Sequence, residues 1–184
     1  MIERAKDAVL YTDDNQEIID AVSSWWTNTH GHLHPHIVSA INRQLEQLEH
    51  VIFSGFTHSA AEQLAQLLLK RIPYHNRVFL SDNGSTAVEA AIKMALQYWH
   101  NRGVAKSRIV AFSDAYHGDT FGSMSTSARG VFTAPFHPLL FQVDFIPTPS
   151  PGRSDALDAF RSHINEHKGQ IAAFIFEPLV LGSA

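Results

Sequence analysis

Short apolar runs alternate with longer stretches of helical period along most of this chain. Val78-Phe79-Leu80 and residues 108–112, 139–146 and 171–176 are rich in β-branched and aromatic side chains and predict strands. Residues 87–100 are dominated by helix formers, and residues 155–167 are amphipathic. Upstream, Pro35 suits the first turn of a helix running to about Leu48, with Ile37, Ile41, Leu45 and Leu48 on one face. A second helix is predicted over residues 59–70, where Ala61, Leu64, Ala65, Leu68 and Leu69 keep helical spacing. Ser59 and Glu62 suggest a capping box, and Pro73 lies just beyond the end. Residues 8–21 read as a hairpin, with Val9 to Tyr11 and Ile18-Ile19 flanking Asp13-Asp14-Asn15.

Strands that alternate with helices imply an α/β fold, a mostly parallel sheet flanked by helices, with the hairpin as a small outlying sheet. In such sheets ligands bind beyond the carboxyl ends of the strands. Three stretches follow predicted strands there: Asp82-Asn83-Gly84-Ser85-Thr86, Tyr116-His117-Gly118-Asp119 and Glu177. They are expected to converge. A strand that turns at Gly84 and opens a helix offers free N–H groups and the positive end of the helix dipole to a phosphate, with the Ser85 and Thr86 hydroxyls in support. The plainer alternative is that Ser85 or Thr86 only caps the helix. For Tyr116, and for Trp25 and Trp26, the plainer alternative is local packing.

Composition narrows the partners. Of 184 residues 45% are hydrophobic, enough for a core, and 14 Lys and Arg against 18 Asp and Glu give a net charge of -4. With no basic run, nucleic acid is not expected as a partner. The chain has no cysteine, which fits a reducing compartment. The charged first seven residues do not resemble a signal peptide, and no apolar run reaches the ~18 residues of a membrane span. A soluble, cytoplasmic protein without membrane contact is expected. His30, His32, His34 and His36 alternate and would share one face of an extended strand, a conceivable zinc site. Pro35 and the helix after it interrupt that extension, so no metal is expected.

At Gly84-Ser85 and Tyr116-His117-Gly118 the chain resembles the class III, fold-type I aminotransferases, which use pyridoxal phosphate. The pair Trp25-Trp26 and the segment Gln97-Tyr98-Trp99 resemble the biotin-synthesis branch of that family in particular. The resemblance implies the large domain of a fold-type I transferase. Residues 1–22 would be a hairpin belonging to the small domain, and residues 23–184 an incomplete first part of the cofactor-binding domain. It also implies that Gly84 and Ser85 bind the cofactor phosphate and that Tyr116 stacks on the pyridine ring. Glu177 matches the glutamate near the cofactor's ring oxygen and its pyridine-binding aspartate. Trp25 and Trp26 would line the substrate pocket, and His117 and Asp119 would belong to the loop holding Tyr116.

The implied reaction is transfer of an amino group from S-adenosylmethionine to 8-amino-7-oxononanoate, giving 7,8-diaminononanoate, in an intact protein that is a homodimer. The family's Schiff-base lysine has no counterpart among Lys6, Lys70, Lys93, Lys106 and Lys168. Lys93, four residues after Glu89, reads as its surface ion-pair partner. The chain is therefore expected to be an amino-terminal fragment, inactive alone, with exposed sheet edges. Two alternatives stay open: another class III enzyme acting on ω-amino acids, or a non-catalytic phosphate-binding or oligomerisation fragment.

Overall fold

A computed structural model describes residues 1–150 and 155–182. The chain forms two compact units, Met1–Arg77 and Val78 onward. The loop expected over residues 147–151 ends at Pro151, outside the described residues.

In the first unit, β1 (Ile2–Lys6), β2 (Val9–Thr12) and β3 (Glu17–Ile19) form an antiparallel sheet in that order. The hairpin around Asp13-Asp14-Asn15 is present, and Asn15 turns it in the left-handed region at φ 62°. β1 is an addition to the expected hairpin. Its Glu3, Arg4 and Lys6 hide a strand pattern, and it forms by pairing with β2, where the Arg4 guanidinium lies 3.8 Å from the Tyr11 ring centroid. Asp7 and His32 then exchange backbone hydrogen bonds of 3.1 and 2.7 Å, which ties the sheet to the histidine loop.

Two helices follow. α1 (Pro35–Leu45) begins at its proline and ends three residues before the expected Leu48. α2 (Ser59–Arg71) has the expected span but a different cap: His58, rather than Ser59, is the N-cap, its ring nitrogen accepting from Ala61 N at 3.4 Å. Ile37, Ile41 and Leu45 of α1 are exposed.

The second unit holds the parallel sheet. α3 (Gly84–Asn101) precedes β4 (Arg108–Phe112), which is the central strand; β5 (Asp144–Ile146) and β6 (Ile171–Ile175) pair with it on either side. Ile109, Val110 and Ala111 are buried at 2% exposure or less, so the core sits on β4. The short helix α4 (Phe121–Thr126) follows β4, and α5 (Asp155–His167) joins β5 to β6.

Two expected strands need correction. Val78-Phe79-Leu80 is not a strand: a β-rich run becomes one only when a neighbouring strand pairs with it, none of β4 to β6 does, and Phe79 and Leu80 are exposed. Of residues 139–146 only Asp144–Ile146 is strand. Pro135 and Pro138 fold the preceding segment, Ala134–Leu139, into a 3-10 helix instead.

Side-chain hydrogen bonds fasten this unit. The Trp99 indole donates to the Ala172 carbonyl at 2.8 Å, fixing α3 to β6. Arg108 donates twice to Asp144, at 2.9 and 2.8 Å, and His163 of α5 lies 3.1 Å from the same carboxylate. Burial would raise the Asp144 pKa, but the bonds from Arg108 and His163 outweigh it and hold the group below its ordinary value. Arg129 donates to the carbonyls of Met124, Ser125 and Ser127 and closes the end of α4.

Candidate active site

The three stretches expected to converge do so, at the carboxyl end of β4 and β6. α3 opens at Gly84, and its N-cap is Asn83, not Ser85 or Thr86. The Asn83 side chain accepts from Thr86 N at 2.9 Å while Thr86 Oγ1 accepts from Asn83 N at 3.3 Å, a reciprocal capping box. Thr86 is thereby used by the helix itself, and it also meets Ser81 Oγ at 2.6 Å. Ser85 is left for the site. The N–H groups of Gly84 and Ser85 meet no acceptor among the described residues. A side chain at Gly84 would meet open space, so the fold does not itself require glycine there.

The next loop lies against this helix start. Asp119 N donates to Ser85 Oγ at 3.1 Å. Gly118, at φ 122°, packs so tightly that a Cβ would come 2.8 Å from Ser85 Cβ. Tyr116 is 39% exposed; its hydroxyl donates to Asp119 Oδ2 at 2.7 Å, and its backbone N–H donates to Glu177 Oε2 at 2.9 Å. The bond to Asp119, then burial and the carboxylate's charge, raise the Tyr116 pKa above that of a free phenol. Glu177 uses its other oxygen, Oε1, to accept from Gly182 N at 2.5 Å. One carboxylate thus joins the end of β6 to the tyrosine loop.

His117 points inward. Its N–H donates to Ser127 Oγ at 2.8 Å, and its Nε2 is buried without a hydrogen-bond partner among the described residues. Burial lowers its pKa, opposed by a smaller effect of Glu177.

Glu89 is the positioning residue that sequence reasoning missed. Its Oε1 accepts from Thr120 Oγ1 at 2.6 Å and from Gly122 N at 2.5 Å, so α3 caps the start of α4 and fixes the loop that carries Tyr116 and Asp119. Among the described residues no ion pair joins it to Lys93, contrary to expectation. The partners lie 31 and 33 residues away, and no local spacing signals them.

Trp25 and Trp26 belong to the first unit, on a left-handed turn over Ser23–Trp26, and are 81% and 72% exposed. They are not a local core patch. Of the alternating histidines, His32 bonds to Asp20 at 2.8 Å, and His30 and His34 meet edge to face with centroids 6.3 Å apart. No three metal-ligating side chains converge among the described residues. No helix there is long and apolar enough to cross a membrane.

The Aminotransferase class-III family matches residues 1–184. The chain belongs to that family. Among similar members, the adenosylmethionine-8-amino-7-oxononanoate aminotransferase of Synechococcus elongatus is 53% identical over 97% of this chain and 44% of its own length. The crystal structure of an enzyme of the same name from Methanocaldococcus jannaschii superposes with a TM-score of 0.88 and 34% identity, over 95% of this chain and 40% of that one. An amine transaminase from an uncultivated Pseudomonas species, solved in its PLP-bound internal aldimine form, gives a TM-score of 0.91 and 29% identity, over 99% of this chain and 45% of that one. The chain spans less than half the length of these family members.

Proposed function

We propose that the protein carrying this chain is a pyridoxal-phosphate-dependent aminotransferase. It moves an amino group from S-adenosylmethionine to 8-amino-7-oxononanoate, yielding 7,8-diaminononanoate for biotin synthesis, as a cytoplasmic homodimer. The observation that carries the cofactor is the open start of α3: two N–H groups without a partner among the described residues, a hydroxyl at Ser85 and free space where Gly84 has no side chain. A phosphate fits that donor set. The 53% identity to the Synechococcus enzyme supports the particular substrates.

Gly84 and Ser85 would hold the phosphate through their amides, with the Ser85 hydroxyl donating to it while still accepting from Asp119 N. Tyr116 would present the exposed face of its ring to the pyridine, held in orientation by Asp119 at its hydroxyl and by Glu177 at its amide. Glu177 would place negative charge beside that ring. Trp25 and Trp26 would supply the apolar wall that a long aliphatic keto acid needs. Bound there, pyridoxal phosphate supplies an electron-withdrawing conjugated ring, which eases proton loss at the carbon bearing the amine. None of Lys6, Lys70, Lys93, Lys106 and Lys168 falls in the family's aldimine motif, so we propose no turnover by residues 1–184 alone.

A donor screen of the full-length protein with 8-amino-7-oxononanoate tests this. Diaminononanoate formed with S-adenosylmethionine, and not with ornithine or alanine, is expected. Transfer from ornithine or alanine alone would assign the protein to another branch of the family.

A further inference from the structure

Ser23, Ser24, Trp25 and Trp26 have φ values of 50°, 47°, 53° and 66°, a left-handed turn made wholly of residues with side chains. Residues other than glycine enter this region at a cost and normally singly. Four in succession store strain, and the surroundings must hold them. Packing of the indoles does not, since both are largely exposed.

Backbone hydrogen bonds close the turn, Trp26 N to the Val22 carbonyl at 3.1 Å and Asn28 N to the Ser23 carbonyl at 3.0 Å, and the side chain that holds it is Asp20. Its Oδ1 accepts from Ser24 N at 2.9 Å, and its Oδ2 accepts from Ser24 Oγ at 2.8 Å and lies 2.8 Å from His32 Nε2. The Asp20 side chain is only 6% exposed and that of His32 15%. His32 is fixed to Asp7 by two backbone hydrogen bonds, and Asp20 N donates to the Ala8 carbonyl at 2.9 Å. One carboxylate is therefore bonded to the β-sheet frame on one side and to the strained turn on the other.

We propose that Asp20 is a positioning residue that locks the left-handed Ser23–Trp26 turn and so sets the orientation of both indoles before any ligand arrives. Tryptophans held by backbone rather than by packing stay exposed to a ligand yet lose little freedom when it binds. The lock stands on contacts within the first unit. That the ligand is the aliphatic keto acid rests on the function proposed above.

The test uses full-length holoprotein labelled with 5-fluorotryptophan, the ¹⁹F resonances of Trp25 and Trp26 being assigned by Trp25→Phe and Trp26→Phe. Asp20→Ala should shift both resonances toward that of free fluorotryptophan and raise KM for 8-amino-7-oxononanoate roughly tenfold, with kcat within about twofold. Asp20→Asn, which keeps an acceptor for the Ser24 amide, should give a smaller shift. Ser24→Gly alone, which keeps the amide bond to Asp20 and removes the hydroxyl bond, should move both resonances less than Asp20→Ala does. Unmoved resonances in Asp20→Ala would overturn the lock. Resonances that move while KM stays constant would uphold the lock and remove the tryptophans from the substrate site.

Discussion

Tyr116 donates its phenolic hydrogen to Asp119, three residues further along the same loop, and Asp119 in turn donates its backbone N–H to Ser85 at the start of α3. The aromatic ring and the proposed phosphate seat are thus joined by one residue. A disturbance at Asp119 reaches both.

Asp119→Ala should therefore lower the Tyr116 pKa toward that of an ordinary phenol, since the carboxylate is the main cause of its elevation. Ultraviolet titration, with a Tyr116→Phe variant subtracted to remove the other three tyrosines, reads this directly. The same variant should bind pyridoxal phosphate roughly tenfold more weakly, the effect of one hydrogen bond of about 1.4 kcal/mol. An unchanged phenol titration would refute the coupling.

The two glycines of the site should behave in opposite ways. Gly118→Ala meets Ser85 at 2.8 Å and a backbone at φ 122°, and should cost roughly 2–4 kcal/mol of stability in a denaturant titration. Gly84→Ala meets open space and should change stability by no more than about 0.5 kcal/mol, yet weaken pyridoxal phosphate binding by tenfold or more, about 1.4 kcal/mol. Equal affinities in wild type and Gly84→Ala would place the phosphate elsewhere.

His117 makes stability depend on pH. Its folded pKa is depressed, chiefly by burial, so as pH falls through about 6.5 the unfolded chain takes up a proton that the fold resists. The contribution is complete above that range. It declines as pH falls from about 6.5 toward the depressed folded value, and levels off below it. Urea midpoints measured from pH 8 to pH 5 should fall in wild type and fall less steeply in His117→Asn. Parallel profiles would show that another group is responsible.

What was legible in the sequence was the chemistry written in adjacent residues. The Gly84-Ser85 turn, the Tyr116 loop and the alternation of strands with helices follow from local turn residues and periodicity, and the meeting of the Tyr116 loop with Glu177 follows from parallel-sheet topology; the start of α3 joins them through Ser85 although residues 78–80 form no strand. What was not legible depends on partners distant in the chain or overrides local preference. Glu89 was read with Lys93 because i,i+4 spacing is visible, whereas Thr120 and Gly122 are reached only after folding. The capping role passed to Asn83 because its side chain suits that position as well as a serine does. No propensity argument places four residues, two of them tryptophans, in a left-handed turn; the Asp20 carboxylate that enforces it is bonded to a histidine 12 positions away.

α3 carries its attachments at fixed angular phase: the capping box at its first turn, Glu89 toward α4 and Trp99 toward β6. Each residue in a helix advances the side-chain direction by roughly 100°. One residue gained or lost between Glu89 and Trp99 would swing one of these anchors off its target while the other stayed in place. The helix therefore acts as a ruler that fixes chain length as well as shape. Length variation among proteins built this way should collect in connections such as residues 102–107, where the backbone leaves α3 before entering β4.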